Sequence, residues 1–455
     1  MPEFPSLGDA LAWLDGHQNL ERMVASVAAG RAVPPDLTRM RALMDILGHP
    51  ERSAPVIHIT GTNGKTSTAR VLTSMLTAKG LRVGTFTSPH LSVINERMAA
   101  DGEPIDDASL TEVLGSLADL EAMVEAALDR SGSPTPGRLT WFELLTAAAF
   151  MWFADRPVDV TVLEVGMGGR WDATNVASAS VAVVTNVGTD HIEFLGPTRA
   201  DVAAEKAGIV ERSSILVLGE TAPELRPVFE AEEPVQLWLA GRDFDCTRNE
   251  LAVGGRSLDL RTPFASYEGV WLDLHGSHQG RNFACALAGA EAFFDAPLDD
   301  RLVREAAATV SSPGRMEIVR RSPLVVLDGA KNLEGATAAA AAVAEEFGPT
   351  RSVVLVVGML GGAAKQPAAM LEALGVGSPA VRVRLVVACP APSPRSVPAA
   401  EVADAARSLG CGAVEAPGVA EALEMAFADV GEEDLVLVTG SLYVVGAARS
   451  VLADR

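Results

Sequence analysis

The sequence predicts an α/β fold with a doubly wound, mostly parallel sheet and a small antiparallel flap. A second, smaller, Rossmann-like α/β domain is expected to follow it. Three observations predict this architecture. Short apolar runs alternate with helical stretches along most of the 455 residues, as in parallel sheets covered by helices. A glycine-containing turn follows the first apolar run, and the alternation restarts after the Ser-Ser-Pro-Gly linker at 311–314.

The first apolar run, at 56–59, leads into a phosphate loop (P-loop), and a helix is predicted over 67–79. Glycines let backbone N–H groups turn toward a polyanion, and the start of the helix adds a favourable dipole. We expect Lys65 to neutralise phosphate oxygens and the Thr66 hydroxyl to bind Mg²⁺. The general motif has a glycine where Ile59 stands, so the spacing is not standard. The residues expected to bind nucleotide here are Gly61, Thr62, Asn63, Gly64, Lys65, Thr66 and Ser67.

The remaining elements follow in order. In the first sheet the apolar runs predict strands at 81–86, 158–165, 181–187 and 215–218. Helices are predicted between these strands at 107–130, 140–154 and 199–209, and after the flap at 279–294 and 299–309. Turn-rich short strands predict the flap at 235–275, and strands of the second sheet are predicted near 324–328, 352–358, 383–388 and 435–439. We therefore expect a nucleotide-binding domain at 1–310 and a second domain at 311–455.

Composition narrows the classes of function. The formal net charge of −22 argues against a nucleic acid or an anionic membrane as partner, because both attract basic surfaces. The four cysteines are scattered, which favours buried thiols in a reducing compartment over a zinc site. Residues 1–15 show no signal peptide, and no run of about 18 apolar residues predicts a membrane span. A cytoplasmic protein is expected.

Polar side chains follow several predicted strands, and ligands of open α/β sheets bind at that edge. Ser88 and Arg97 follow the second strand, where a hydroxyl can bind a metal and a guanidinium can meet an anion. Glu164 ends a largely apolar strand, and a buried carboxylate needs a cation or a partner. Its alternative role is a structural ion pair with Arg170. His191 follows the next strand and is either a metal ligand or a solvated loop residue.

Other polar residues become candidates for the site only if further functional residues lie near them. Lys206 stands near the end of a helix, where a lone lysine is usually a dipole partner or a surface residue. In the second half, Asn282 opens a helix and Arg315 lies on the linker. Residues 328–332 end the first strand of the second sheet, and residues 439–443 end its last strand.

Taken together, these blocks resemble, in the same order, the folylpolyglutamate synthase / dihydrofolate synthase family. That family is a branch of the ADP-forming Mur ligase superfamily. The resemblance spans nearly the whole chain and is strongest in the first domain. The matching segments are 61–65, 88–91, 95–97, 142–143, 164–175, 190–191, 205–209, 278–282, 313–315, 328–330 and 439–443.

The resemblance implies ATP-driven amide synthesis by an ADP-forming acid–amino-acid ligase. In that family the γ-phosphoryl group passes to a carboxylate of the folate-type substrate, and the amino group of L-glutamate then displaces phosphate from the acyl phosphate. Phosphoryl transfer depends mostly on positioning and charge neutralisation, which fits the cations and donors expected near the γ-phosphate. The acid is dihydropteroate, tetrahydrofolate and its polyglutamates, or both kinds.

The resemblance also implies roles for individual residues. Thr66, Ser88 and Glu164 resemble ligands of a first Mg²⁺. His191 and Lys206 resemble ligands of a second metal, with Lys206 as a carbamate made from CO₂, an oxygen ligand that Mg²⁺ prefers. A need for K⁺ is left open. The implied nucleotide contacts in addition to the phosphate loop are Asn282, Arg315 and Asp328, and the expected substrate contacts are Arg97, Phe142, Asp172, Ala173 and Ser441.

Three departures from the family pattern bear on the site. Thr66 stands where the family usually has glycine, which leaves open whether Thr66 or Ser67 binds the metal. Lys331 replaces the usual histidine of an Asp-Gly-Ala-His-Asn segment, and a lysine there could stabilise the transferring phosphoryl group. Residues 361–366 stand in place of an expected Asp-Lys-Asp segment after Gly358, which bears on glutamate recognition.

Three other functions fit parts of the pattern. The first is a ligase of the same chemistry that acts on a different acid or amine. The second is a non-catalytic nucleotide-binding relative, and the third is a P-loop kinase. For the leading hypothesis we expect a monomer whose partners are small-molecule substrates only.

Overall fold

The computed structural model describes residues 4–19, 21, 36–131, 138–189, 192–348, 351–362 and 366–453. These residues form two compact units. The first takes its described residues from Met1–Thr247, Asp259–Val270 and Arg281–Thr309. The second takes them from Arg248–Leu258, Trp271–Gly280 and Val310–Arg455. The chain therefore passes between the units several times rather than once.

The first unit contains an eight-stranded sheet with the order β4-β3-β2-β5-β1-β6-β7-β8. Its strands are β1 Val56–Thr60, β2 Val83–Phe86, β3 Met98–Ala100, β4 Glu103–Pro104, β5 Val160–Glu164, β6 Ala179–Val184, β7 Ile215–Leu218 and β8 Gln236–Leu239. The six neighbouring strands β2, β5, β1, β6, β7 and β8 are parallel. Strands β3 and β4 add an antiparallel edge beside β2. The predicted doubly wound α/β fold is thereby confirmed, and β1 lies inside the sheet with every residue buried.

Helices cover this sheet, and apolar side chains are buried between them in clusters, one of which includes Leu114 and Phe153 and another Leu216 and Phe229. The helices as far as residue 309 are α1 Leu7–Asp15, α2 Thr38–Leu47, α3 Lys65–Ala78, α4 Asp107–Ser131, α5 Trp141–Asp155, α6 Ile192–Leu195, α7 Arg199–Ala207, α8 Arg226–Glu230, α9 His278–Phe294 and α10 Asp300–Thr309. Sequence patterns placed the longer of these to within two residues. Among the described residues, no helix is both long and apolar enough to cross a membrane.

The flap is a three-stranded sheet of β9 Asp245–Ala252, β10 Gly255–Arg261 and β11 Ser266–Leu272, with β10 in the middle. The connections between neighbouring strands are too short for a parallel crossover, so the sheet is antiparallel as predicted. The predicted flap began too early, at 235. Residues 236–239 instead form β8, which pairs with β7 in the parallel sheet.

The second unit contains a six-stranded sheet with the order β12-β13-β17-β14-β15-β16, parallel except for β12. Its strands are β12 Glu317–Arg321, β13 Leu324–Leu327, β14 Val353–Val357, β15 Val383–Ala388, β16 Gly412–Glu415 and β17 Leu435–Thr439. Its helices are α11 Leu333–Glu346, α12 Pro367–Ala373, α13 Ala399–Ser408, α14 Val419–Asp429 and α15 Leu442–Ala453. The four predicted strands are all present. The two edge strands escaped prediction because their residues are mostly exposed or half-buried and lack an apolar run.

Candidate active site

The phosphate loop joins β1 to α3, and glycines at two of its positions allow it to pack closely. A Cβ atom on Gly61 would lie 1.8 Å from Thr185 Oγ1. A Cβ atom on Gly64 would lie 2.3 Å from Asn282 Oδ1, and Gly64 has a φ of +85°. A side chain at either position would therefore clash, and at Gly64 it would also strain the backbone.

Side chains that follow β6 hold the loop in place. Asn63 N donates to Asn186 Oδ1 at 3.0 Å, and Thr185 Oγ1 donates to Asn63 O at 2.7 Å. Thr62 N donates to Asn186 O at 3.1 Å, and Gly188 N donates to Thr62 Oγ1 at 2.8 Å. The protein's own hydrogen bonds therefore set the shape of the loop.

The loop presents cationic and N–H groups at the start of α3. Thr68 N donates to Gly64 O at 2.9 Å, which begins the helical hydrogen bonding, so the preceding N–H groups point outward from the start of the helix. Lys65 Nζ donates to Gly61 O at 3.0 Å, so its ammonium group lies over the loop. This arrangement suits a polyphosphate, whose oxygens accept from both kinds of donor.

Glu164 brings together the residues expected to bind the first metal. It ends β5 beside Ile59 of β1 and is 1% exposed. Thr66 Oγ1 donates to Glu164 Oε1 at 3.0 Å, and Ser88 N donates to Glu164 Oε2 at 3.2 Å. Arg170, the alternative ion-pair partner, bonds to the Glu232 carboxylate instead.

The chemistry of this group fits Mg²⁺. It offers one buried carboxylate and two hydroxyl residues, and Mg²⁺ takes oxygen ligands while keeping several waters or phosphate oxygens. Across the part of the chain that the structure describes, no group of three or more His, Cys, Asp or Glu side chains could hold a metal. These residues therefore do not form an all-protein metal cage, and a bound nucleotide would supply further ligands to the metal.

The residues expected at a second metal are described only in part. His191, with Asp190 before it, lies outside the described residues. Lys206 lies near the end of α7 and is 3% exposed. The backbone beside it touches the loop after Glu164, since a Cβ atom on Gly169 would lie 2.7 Å from Glu205 O. The fold thus places the Lys206 end of α7 against the loop that begins with Glu164.

Two of the residues expected to bind the acid substrate meet at Gly166. A Cβ atom there would lie 2.6 Å from Phe142 Cζ and 3.1 Å from Asp172 Oδ2. Asp172 Oδ2 accepts from Met167 N at 2.9 Å, and burial raises the pKa of this carboxyl group. Ala173 follows and is also buried. Phe142, Asp172 and Ala173 therefore belong to one cluster.

Arg97, which is expected to meet a substrate anion, is hydrogen-bonded to other side chains of the protein. Its Nη1 and Nη2 donate to the Glu21 carboxylate at 2.9 and 2.8 Å, and its Nε donates to His90 Nδ1 at 2.9 Å. The guanidinium carbon lies 4.7 Å from the centre of the Trp141 ring. A buried guanidinium needs such partners, so a substrate anion would have to exchange with Glu21.

In the second unit, Arg315 and Asp328 lie beside the end of β13. Asp328 accepts from Met316 N at 3.0 Å and from Ala330 N at 2.9 Å. Burial raises the pKa of Asp328, and the nearby Arg315 opposes that shift. A Cβ atom on Gly329 would lie 2.3 Å from Arg315 Nη1, so the guanidinium group packs against this turn.

Lys331 and Ser441 follow two strands of the second sheet. Lys331 lines a small open pocket whose other walls are mostly apolar and include Met359 and Met370. Ser441 is 1% exposed, and its Oγ accepts from Tyr443 N at 3.2 Å. In the altered segment at 361–366, residues 363–365 lie outside the described residues.

Sequence reasoning assigned no role to several residues that shape the site. Thr185 and Asn186 hold the phosphate loop, and His58 and Thr60 of β1 bond to the loop after Glu164. Only His58 could have been singled out from sequence. It lies within a largely apolar predicted strand, and a buried polar side chain requires a hydrogen-bond partner.

Comparisons with known proteins agree with the fold and with the order of the blocks. A model of the Mur ligase middle domain matches residues 59–290, and one of the Mur ligase glutamate ligase domain matches residues 314–442. A Mycobacterium tuberculosis protein named dihydrofolate synthase/folylpolyglutamate synthase is 40% identical, with 92% of this chain and 90% of that protein covered. The Bacillus subtilis protein of the same name is 33% identical, with 99% and 100% covered. The solved structure of Mycobacterium tuberculosis folylpolyglutamate synthase complexed with ADP superposes on this chain with a TM-score of 0.88. The two sequences are 38% identical, and the superposition covers 99% of each chain.

Proposed function

The chain belongs to the folylpolyglutamate synthase / dihydrofolate synthase family of the Mur ligases, and on that premise we propose that this ATP-dependent ligase adds L-glutamate both to dihydropteroate and to tetrahydrofolate. Two relatives that match over nearly their whole length carry both activities in their names, which supports the dual substrate. The observation that carries the chemistry is Glu164, buried beside the phosphate loop and bonded to Thr66 and Ser88.

The reaction needs a carboxylate to become a good acylating agent. A carboxylate oxygen of the folate-type acid bonds to the γ-phosphorus as the bond to ADP breaks. The glutamate amine then bonds to the acyl carbon, loses a proton, and phosphate leaves. In this chain, Lys65 and the N–H groups at the start of α3 bind and orient the phosphates, exchanging the Gly61 contact for phosphate oxygens. Thr66, Ser88 and Glu164 would hold a Mg²⁺ ion, which would neutralise further phosphate charge.

Lys206 is the residue whose modification we propose. Lys206 is 3% exposed, and a carbamate formed there with CO₂ would offer oxygen ligands to a second Mg²⁺ together with His191. Mass spectrometry under mild conditions should find the mass of one added CO₂, absent from Lys206→Ala. An unmodified Lys206 in active enzyme would contradict this part of the proposal.

The other expected roles stay predictions. Arg315 and Asp328 are expected to contact the nucleotide, Lys331 the transferring phosphoryl group, and Ser441 a substrate. Arg97 is expected to bind a substrate anion, and Asn282 the nucleotide. A monomeric state and a cytoplasmic location are predicted as well.

The decisive experiment measures ADP release by purified protein with ATP, Mg²⁺ and L-glutamate. Dihydropteroate and tetrahydrofolate are supplied in separate reactions, and omission of glutamate is the control. We expect ADP release with both acids and a glutamylated product for each. Release with only one acid would reduce the proposal to a single activity, and release with neither would refute it.

A second candidate is a ligase of the same chemistry with another amino acid. Lys331 in place of the usual histidine favours it, because a lysine changes the charge of the pocket that Met359 and Met370 line. ADP release across the common amino acids separates the two, since only the first function requires glutamate.

A further inference from the structure

Strand β1 does more than lead into the phosphate loop. Two of its side chains bond to the loop that follows Glu164. His58 Nε2 lies 2.8 Å from Thr174 Oγ1, and Thr60 Oγ1 donates to Gly168 O at 2.7 Å. One buried strand therefore holds the nucleotide loop at its end and the 166–175 loop along its side.

The bond from His58 continues to a carboxylate. Thr174 Oγ1 donates to Asp172 Oδ1 at 2.6 Å, and Thr174 N donates to the same oxygen at 3.1 Å. A hydroxyl group has one hydrogen, so Thr174 Oγ1 accepts from His58, and the imidazole hydrogen is on Nε2. We call the series His58, Thr174 and Asp172 the His58 relay.

The surroundings of His58 support this tautomer. Its side chain is fully buried, and no described residue offers Nδ1 a hydrogen bond. A hydrogen on Nδ1 would be a buried donor without an acceptor, which is unfavourable. Burial lowers the pKa of His58 to about 3, so the imidazole is neutral and donates through Nε2 alone.

The relay fixes the orientation of Asp172. One carboxylate oxygen accepts from Thr174, and the other accepts from Met167 N. Gly166 lies against both the Phe142 ring and the Asp172 carboxylate. Losing the donor at Thr174 would leave a buried carboxylate short of a hydrogen bond, and the 166–175 loop would shift to recover one.

We propose that His58 is a positioning residue for the acid substrate: through Thr174 it orients Asp172 and the 166–175 loop without touching the substrate. The inference rests on the proposed function in one respect, namely that Phe142, Asp172 and Ala173 face the acid. It adds that the strand carrying the phosphate loop also sets the affinity for the acid.

The test compares variants that remove the donor with variants that keep it. His58→Leu removes it, whereas His58→Gln places an amide N–H near the position of Nε2. Thr174→Val and Thr174→Ser form the same pair at the middle of the relay. We expect His58→Leu and Thr174→Val each to raise KM for dihydropteroate about tenfold, the effect of one lost hydrogen bond, and to leave KM for ATP within about twofold. His58→Gln and Thr174→Ser should stay within about threefold of wild type for both.

A binding measurement separates failure of this inference from failure of the proposed function. Pterin fluorescence gives the Kd of dihydropteroate without ATP or turnover. If wild type binds the pterin but makes no product, the proposed function fails and the relay is still tested by Kd. Equal losses for ATP and pterin, or no rescue by the donor-keeping variants, would overturn the inference and leave His58 a purely structural residue. If His58→Leu does not fold, the Thr174 pair decides alone.

Discussion

Glu164 is a carboxylate that the sheet buries beside a phosphate loop, where only cations or hydrogen-bond donors make it tolerable. Its position at the end of an apolar strand made it predictable from sequence. The family resemblance implied that Thr66, Ser88 and Glu164 share one Mg²⁺, and in the structure Thr66 Oγ1 and Ser88 N both bond to the Glu164 carboxylate. The Thr66 hydroxyl bonds to Glu164 here.

We predict that Glu164→Gln lowers kcat by on the order of 100-fold, because a neutral amide cannot hold a divalent cation beside the phosphates. The measurement is steady-state ADP release at saturating ATP and Mg²⁺. Glu232→Gln, which removes the partly exposed partner of Arg170, is the matched control and should retain full activity. Activity in Glu164→Gln within a few fold of wild type would contradict the assigned role.

The His58 relay was beyond prediction because His58 is distant in sequence from Asp172 and Thr174. Thr174 lies 116 positions from His58, and a single sequence does not show which residue a buried histidine bonds. Arg97 is a similar case, since its partner Glu21 lies 76 positions away. Polar residues in apolar runs mark where a partner is needed, and only the fold identifies the partner.

The neutral state of His58 predicts a pH dependence of stability. Its pKa is about 3 in the folded chain and near 6.5 when unfolded, so between these values only the unfolded state binds the proton. Protonation therefore favours unfolding as pH falls below 6.5, and this contribution to stability rises with pH. Between pH 7 and pH 5 it amounts to about 2 kcal/mol. Urea unfolding should show a loss of that size in wild type beyond the loss in His58→Gln; equal losses would contradict it.

The phosphate loop shows how an element depends on its neighbours. Its glycine-lysine pattern, with a strand before and a helix after, was readable from sequence. The Thr185 and Asn186 side chains that hold it were not, since they follow a different strand. The loop is thus predictable as a motif, whereas its rigidity comes from tertiary contacts.

Two glycines with similar backbones test this dependence. Gly64 and Gly80 have φ of +85° and +94°, but of the two only Gly64 has a described neighbour, Asn282, within 4 Å of the point where a Cβ atom would lie. We predict that Gly64→Ala weakens ADP binding at least tenfold, whereas Gly80→Ala costs some stability and leaves binding unchanged. Isothermal titration of ADP measures both. Equal binding by the two variants would show that the close approach to Asn282 does not matter.

Buried ion pairs join part of the flap to the rest of the second unit. Arg256 Nη2 lies 2.9 Å from Glu345 Oε1, and Nη1 lies 2.6 Å from Glu346 Oε1 near the end of α11. His275 Nδ1 lies 2.7 Å from Glu346 Oε2. These contacts explain why part of the flap belongs with the second sheet, a grouping that composition could not reveal.

We predict that Arg256→Met lowers the free energy of unfolding by about 3–5 kcal/mol, because it removes the guanidinium group that pairs with the buried Glu346 carboxylate. Arg248→Met is the control, since Arg248 pairs with Glu250 on the surface and should contribute less than about 1 kcal/mol. Thermal or urea unfolding measures both. Similar small losses would show that the buried ion pair does not stabilise the flap.

At the scale of the whole molecule, the parallel sheets were predictable from the alternation of strands and helices. Strands buried on both faces of a sheet appear in the sequence as continuous apolar runs. The edge strands β3, β4, β12 and β16 were missed, since short or exposed strands lack that signal. The order of ten or so blocks identified the family, which the comparisons confirm. The strong net negative charge also fits a protein whose cationic side chains, Lys65 among them, lie locally where phosphates are expected.

The central claim is that a carboxylate of the acid is phosphorylated before glutamate attacks. Dihydropteroate labelled with ¹⁸O in its carboxylate tests it most directly, with the released phosphate analysed by mass spectrometry. Attack of the carboxylate on the γ-phosphorus predicts one ¹⁸O atom in each phosphate released. Phosphate without label, alongside normal formation of the amide, would contradict the acyl-phosphate route.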